Sequence, residues 1–188
     1  MGLQEPLDIA NRCRPIELLV ADVDGVLTDG VIAIDDCGVE TKYFYVRDGL
    51  AYALWHRAGK HAAILSGRRA AAVERRAAEL KIAHVLQGHE QKAAPLRSLI
   101  EGLGFAPFQV CFVGDDLADL PVLRAVGLAA CPADAAAEVK VASHLVTHAS
   151  GGRGVVREVV EVILKAQGTW TDLIGSTFEA FNFSYQGL

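Results

Sequence analysis

The chain switches repeatedly between short unbroken apolar runs and longer stretches in which apolar residues recur every three or four positions. The first run, LLVA at 18–21, closes a strand predicted over 17–21 and has no polar interruption, the mark of a strand covered on both faces. Comparable runs return as HAAILS (61–66), AHVLQ (83–87), QVCFVG (109–114), GLAAC (127–131) and SHLVT (143–147). Helical spacing fills the intervals at 50–58, 69–80, about 91–103, 120–126, 134–141 and 155–166. Gly59 stands where the first of these helices needs a left-handed closing residue. Two segments follow a different rhythm: VIAI (31–34) and KYFYV (42–46) alternate, and they flank Asp35-Asp36-Cys37-Gly38, a hairpin turn.

Strands alternating with helices of this length build βαβ units, and these build a parallel sheet with helices on both faces. The expected fold is α/β: a three-layer, Rossmann-like parallel sheet with a β-hairpin inserted after the first strand. A single domain is expected over 17–168, with the hairpin at about 31–46, an N-terminal extension at 1–16 and a tail at 169–188.

Composition then narrows the classes of function. The 188 residues are 52% hydrophobic and 22% charged, enough apolar material for a core and unlike a disordered chain. Eighteen Lys and Arg against 23 Asp and Glu give −5 with no basic block, which argues against nucleic acid and anionic membrane as partners. No apolar run approaches the roughly 20 residues of a membrane span. The start, MGLQEPLDIANRCRP, lacks a signal-peptide core, so the cytoplasm is the expected location. Cys13, Cys37, Cys111 and Cys131 share no metal or disulfide spacing, and the six histidines are scattered and read as structural.

Polar chemistry gathers at the predicted strand ends, where parallel sheets place their ligands. The first strand runs into Asp22, Asp24 and Asp29, and crowded like charges destabilise a fold unless a cation or a proton compensates them. Asp22 and Asp24, at i and i+2 before a turn-permitting Gly25, can face one centre. Asp115 adds a carboxylate from the fourth strand, Ser66 ends the second, and Lys92 opens the helix after the third. Each alone has an ordinary explanation: an acidic loop, a helix cap, a solvated lysine, an acidic first turn. Together they suit Mg²⁺ and a phosphate, with Ser66 expected at a helix N-terminus that favours an anion and Lys92 supplying positive charge. The set suggests phosphoryl transfer to a carboxylate.

DVDGVLTD, ILSGR, Lys92 and VGDDLADLP, in that order, resemble the four motifs of the haloacid dehalogenase-like phosphatases over about 17–168. IDDCGVETKYFYVRDG, QGHEQK and GGRGVVREV are similar to the small capless branch of that family, which acts on phosphorylated 2-keto-3-deoxy sugar acids. The resemblance implies that Asp22 is the nucleophile and forms an aspartyl-phosphate. Asp24 would be the acid/base, and Ser66 and Lys92 would hold the phosphoryl oxygens. It implies Mg²⁺ on Asp22, on the backbone carbonyl of Asp24 and on Asp115, with Asp116 as a nearby supporting carboxylate. Asp119 is assigned a supporting or purely structural place.

Spacing leaves no room for a cap domain: Asp29 to Ser66 holds the hairpin and one helix, and Lys92 to Asp115 holds one helix and one strand. The resemblance implies a homotetramer whose hairpins pack together and help enclose the substrate, and the apolar VIAI and KYFYV agree. Folding of the hairpin onto its own domain is the alternative. The substrate would be the eight-carbon sugar acid phosphate or its nine-carbon analogue. Its carboxylate needs cations, for which the candidates are Arg68, Lys42, Arg47 and Arg153. Gly151, Gly152 and Gly154 around Arg153 read equally as a flexible turn, and Asp48-Gly49 as a turn and helix start. The tail TWTDLIGSTFEAFNFSYQGL matches no family pattern. Coverage of a neighbour's site, packing on the domain's own surface and disorder are all open to it. A phospho-accepting receiver module has the opposite motif order. A catalytically silent oligomerisation module would not need Asp22, Asp24, Lys92 and Asp115 intact.

Overall fold

All four residues of LLVA are buried, and their side chains alternate between two separate cores. Leu19 and Ala21 enter one with Ile64, Cys111 and Val113; Leu18 and Val20 enter the other with Leu65, Val110 and Phe112. An unbroken apolar run is therefore what a central strand between two helical layers requires. A computed structural model describes residues 6–178.

The elements in chain order are α1 (Pro6–Cys13), β1 (Leu18–Ala21), β2 (Ala33–Ile34), β3 (Glu40–Thr41), α2 (Val46–Arg57), β4 (His61–Ser66), α3 (Ala71–Glu79) and β5 (His84–Gln87). They continue as α4 (Ala93–Leu103), β6 (Val110–Val113), α5 (Leu120–Leu123), β7 (Leu128–Cys131), α6 (Ala137–Ala142), β8 (Leu145–Val146), α7 (Val155–Ala166) and α8 (Trp170–Phe178). Six strands form one parallel sheet in the order β5-β4-β1-β6-β7-β8. Buried residues of α2, α3 and α7 belong to the first core, and those of α4, α5 and α6 to the second. This is the expected three-layer α/β fold with β2 and β3 as an antiparallel hairpin after β1. The chain leaves β1 towards β4 and β5, then returns to the other side of β1 with β6. Strand order reverses there, and the crevice at the C-terminal ends of β1 and β6 is the natural ligand site.

Several local expectations need correction. KYFYV is not a strand: β3 ends at Thr41 and Val46 already opens α2, four residues before the predicted start. Its alternation is real, since Tyr43 is exposed while Lys42 and Phe44 turn inward, but no partner strand pairs with it. The helix expected at 120–126 is the single turn of α5, preceded by a 3₁₀ turn at Leu117–Asp119. Ser66 does not stand at a helix N-terminus, because Gly67, Arg68, Arg69 and Ala70 intervene before α3. The N-terminal segment does more than extend the chain: Cys13 and Ile16 are fully buried in the first core. Of the tail, α8 lies against α7, and Trp170 and Leu173 pack on the first core. Phe181, Phe183 and Tyr185 lie outside the described residues.

Candidate active site

The end of β1 delivers Asp22 into the crevice, its backbone N–H bonded to the Val113 carbonyl of β6 at 2.9 Å. The chain then coils: the N–H groups of Val26, Leu27 and Thr28 all point to the Val23 carbonyl, at 3.2, 2.8 and 3.0 Å. Gly151 and Gly152 press on this coil from the other side, with the Gly152 N–H donating to the Val26 carbonyl at 2.9 Å. A Cβ at Gly151 would stand 2.2 Å from the Gly25 carbonyl oxygen, so the glycine pair is a packing surface for the coil rather than a slack turn.

Asp22, Asp115 and Asp119 each offer a carboxylate oxygen, all within 4.8 Å of one another. Lys92, at the start of α4, is buried among them; its ammonium pairs with Asp22 Oδ2 and with Asp119 Oδ1, the latter at 2.6 Å. Asp22 Oδ1 accepts the Val23 N–H at 2.6 Å, and Asp119 Oδ2 accepts the Asp115 N–H at 3.0 Å. Burial, with Asp119 adding to it, pushes Asp22 up to about 6 despite Lys92, and burial with Asp22, Asp119 and Asp116 pushes Asp115 up to about 7. Burial alone would lower Lys92, but Asp22 and Asp119 outweigh it and hold the ammonium charged. Three carboxylates around one lysine leave net negative charge, and such a hard oxygen donor set fits Mg²⁺.

Asp24 turns its carboxylate away from this cluster. Its Oδ1 pairs with the Lys42 ammonium, and Arg68 Nε lies 3.6 Å from Oδ2. Glu40 of β3 completes the group, 2.8 Å from both Lys42 Nζ and Arg68 Nη2. Ser66, buried at the end of β4, lines a cavity of about 350 Å³ together with Asp22, Asp24, Arg68, Lys92, Asp115 and Asp119.

The structure thus gathers Asp22, Asp24, Ser66, Arg68, Lys92 and Asp115, with Lys42 reaching in from the hairpin side. It does not gather every residue that the sequence singled out. Asp116 also lines the cavity, but it is exposed and its carboxylate accepts the Leu117 N–H at 2.8 Å, capping the 3₁₀ turn, and the third carboxylate of the buried cluster is Asp119. Asp29 is exposed and accepts the Val31 N–H. Arg47 is exposed above the Tyr45 ring, Arg153 is exposed, and neither lines the cavity. Glu40 gave no sequence signal beyond its place beside Lys42.

A haloacid dehalogenase-like hydrolase family model matches residues 42–127. The 3-deoxy-D-manno-octulosonate 8-phosphate phosphatase of Escherichia coli K12 is 42% identical over 170 residues, 90% of either chain. This chain belongs to the haloacid dehalogenase-like hydrolases. Among solved structures, the Yersinia pestis phosphatase of the same name matches with TM-score 0.86 and 42% identity, over 87% of this chain and 89% of that one. The Moraxella catarrhalis phosphatase, determined with magnesium, phosphate and a KDO molecule, matches with TM-score 0.90 and 38% identity, over 92% and 99%. The six-stranded parallel sheet with its flanking helices is the fold these structures share with the chain. Among the described residues no helix is long and apolar enough to cross a membrane.

Proposed function

We propose that the chain is a Mg²⁺-dependent phosphomonoesterase that hydrolyses 3-deoxy-D-manno-octulosonate 8-phosphate to the free sugar acid and phosphate, in the supply of lipopolysaccharide precursors. The observation that carries this reading is the buried Asp22–Asp115–Asp119 cluster braced on Lys92, in a chain 42% identical to phosphatases of that name. Asp22, Asp115 and the backbone carbonyl of Asp24 would hold the cation, which when bound would offset negative charge on the phosphoryl oxygens. An Asp22 carboxylate oxygen attacks phosphorus and the bond from phosphorus to the sugar oxygen breaks. Asp24 gives that oxygen its proton. Asp24 then takes a proton from a water that attacks the aspartyl-phosphate, phosphate leaves, and the Asp22 carboxylate is restored. Lys92, fixed by Asp22 and Asp119, and the Ser66 hydroxyl face the transferred oxygens.

With no cap over the cavity, a second copy of the chain is the natural cover. Val31, Ile34, Val39, Tyr43 and Val46 expose apolar surface on and beside the hairpin, which supports hairpin packing in a homotetramer. Free thiols at Cys13, Cys37, Cys111 and Cys131 suit the reducing cytoplasm.

The deciding assay is phosphate release from the octulosonate ester, the nine-carbon acid phosphate and hexose phosphates, each with Mg²⁺, with chelator and with Asp22→Asn. Strong preference for the octulosonate ester, lost in both controls, is expected. Equal rates on all esters would remove the substrate assignment, and no Mg²⁺-dependent release would remove the enzyme.

A further inference from the structure

Glu40 belongs to neither the carboxylate cluster nor the core, yet it holds both cations nearest the proposed acid/base. One carboxylate oxygen is ion-paired with the Lys42 ammonium and the other accepts a hydrogen bond from Arg68, at 2.8 Å each. Since the same two cations lie beside Asp24, two carboxylates and two cations close a neutral ring at the mouth of the cavity. The Lys42 side chain is 2% exposed in this ring and that of Arg68 45%. The two anions differ in how firmly they are held. Asp24 sits in the coil after β1, where the next residue, Gly25, packs between Asp115 and the Gly151–Gly152 turn. Glu40 sits on a hairpin of two-residue strands outside the main sheet, so it is the anion that is free to withdraw. A carboxylate that bridges an ammonium and a guanidinium through separate oxygens is also what a sugar acid would present to this pair.

We propose that Glu40 is a specificity-determining residue: a resident carboxylate that holds Arg68 and Lys42 until the carboxylate of a sugar acid phosphate takes its place. The proposal rests on the phosphatase reading above. Binding is then an exchange of ion pairs rather than the making of new ones. A phosphate ester without a carboxylate leaves Glu40 where it is and draws nothing from the pair, so discrimination arises from the difference.

The test compares wild type, Glu40→Gln and Glu40→Asp, all with Mg²⁺, on the octulosonate ester and on a carboxylate-free aldose phosphate, with inhibition by the free sugar acid as a second readout. Glu40→Gln removes the competitor, so KM for the sugar acid ester and Ki for the free acid should each fall about three- to fivefold, the scale of a partly exposed ion pair. KM for the aldose phosphate should move less, and Glu40→Asp should lie between wild type and Glu40→Gln. Equal falls for both esters would reduce Glu40 to a general negative charge and overturn the proposal. A rise in KM for the sugar acid ester, or a large loss of kcat on both, would also overturn it, because Glu40 would then brace its neighbours. Should Glu40→Gln not fold, the direction of the Glu40→Asp shift decides in the same way. If wild type releases no phosphate from the sugar acid ester, the phosphatase reading itself fails, and that result is visible before any variant is compared.

Discussion

Gly25 and Asp115 meet so closely that a Cβ at Gly25 would lie 2.0 Å from Asp115 Oδ2. The first motif and the fourth therefore interlock through the absence of a side chain. Gly25 also has φ +81°, a conformation that a substituted residue adopts only with strain.

Gly25→Ala is accordingly expected to displace Asp115 rather than merely weaken the turn. A shift near 1 Å in a catalytic constellation can lower rate by on the order of 100-fold. Phosphate release should fall by about that factor, with a higher Mg²⁺ requirement. Steady-state kinetics over a Mg²⁺ titration check this; an unchanged Mg²⁺ half-saturation would show that Asp115 tolerates the methyl group.

Legibility from sequence followed the reach of each signal. The strands were readable because a sheet covered on both faces leaves unbroken apolar runs, and strand ends then located Asp22, Ser66 and Asp115. The hairpin was harder: in 42–44 inward and outward residues alternate as in a strand, while pairing depends on a partner that pattern alone does not supply. Asp116 and Asp119 were exchangeable on sequence because both lie in one acidic turn. Only geometry reveals that Asp116 caps the turn while Asp119 enters the cluster. Glu40 could not be singled out, since its partner Arg68 is 28 positions away in sequence.

Metal binding should release protons. Without a cation Asp22 titrates at about 6 and Asp115 at about 7, both above the ordinary aspartate value, chiefly through burial. Acids raised in this way stabilise the metal-free fold at low pH, and that contribution is lost as pH rises through 6 to 7. Mg²⁺ binds the ionised forms, so its affinity should climb across the same window and level off above about pH 8. Calorimetry at pH 6 in buffers of different ionisation enthalpy should register proton release that is absent at pH 8.5. The Tm gain from Mg²⁺ should widen over that range.

Asp48 offers a second pH effect, away from the metal. Its Oδ1 accepts the Arg157 N–H at the start of α7 at 2.8 Å, while Oδ2 and the Tyr52 hydroxyl are buried without hydrogen-bond partners. Burial pushes Asp48 up to about 6, so its contribution to stability is fullest below the unfolded value near 4 and is lost as pH rises through 6. Asp48→Asn keeps an oxygen for Arg157 and removes the charge. At pH 8 it should be more stable than wild type by about 3 kcal/mol, a gain that vanishes near pH 4. Denaturant unfolding at saturating Mg²⁺, which suppresses titration of the metal cluster, provides the comparison. A variant less stable than wild type at pH 8 would mean that the charge is compensated in the fold.

The hairpin prediction separates assembly from folding. Ile34 is 61% exposed and Tyr43 70%, so charged replacements there remove little from the fold of one subunit, within about 0.5 kcal/mol. If these side chains are covered by neighbouring copies, the same charges must be desolvated on assembly and should prevent it. Ile34→Glu with Tyr43→Glu is therefore expected to lower the mass seen by light scattering from four chains to one or two. Turnover should fall by about tenfold as the open cavity loses its cover. The ring of Glu40, Lys42, Arg68 and Asp24 lies within the subunit, so loss of turnover here comes from enclosure and not from lost charges. An unaltered mass would return the hairpin to its own domain.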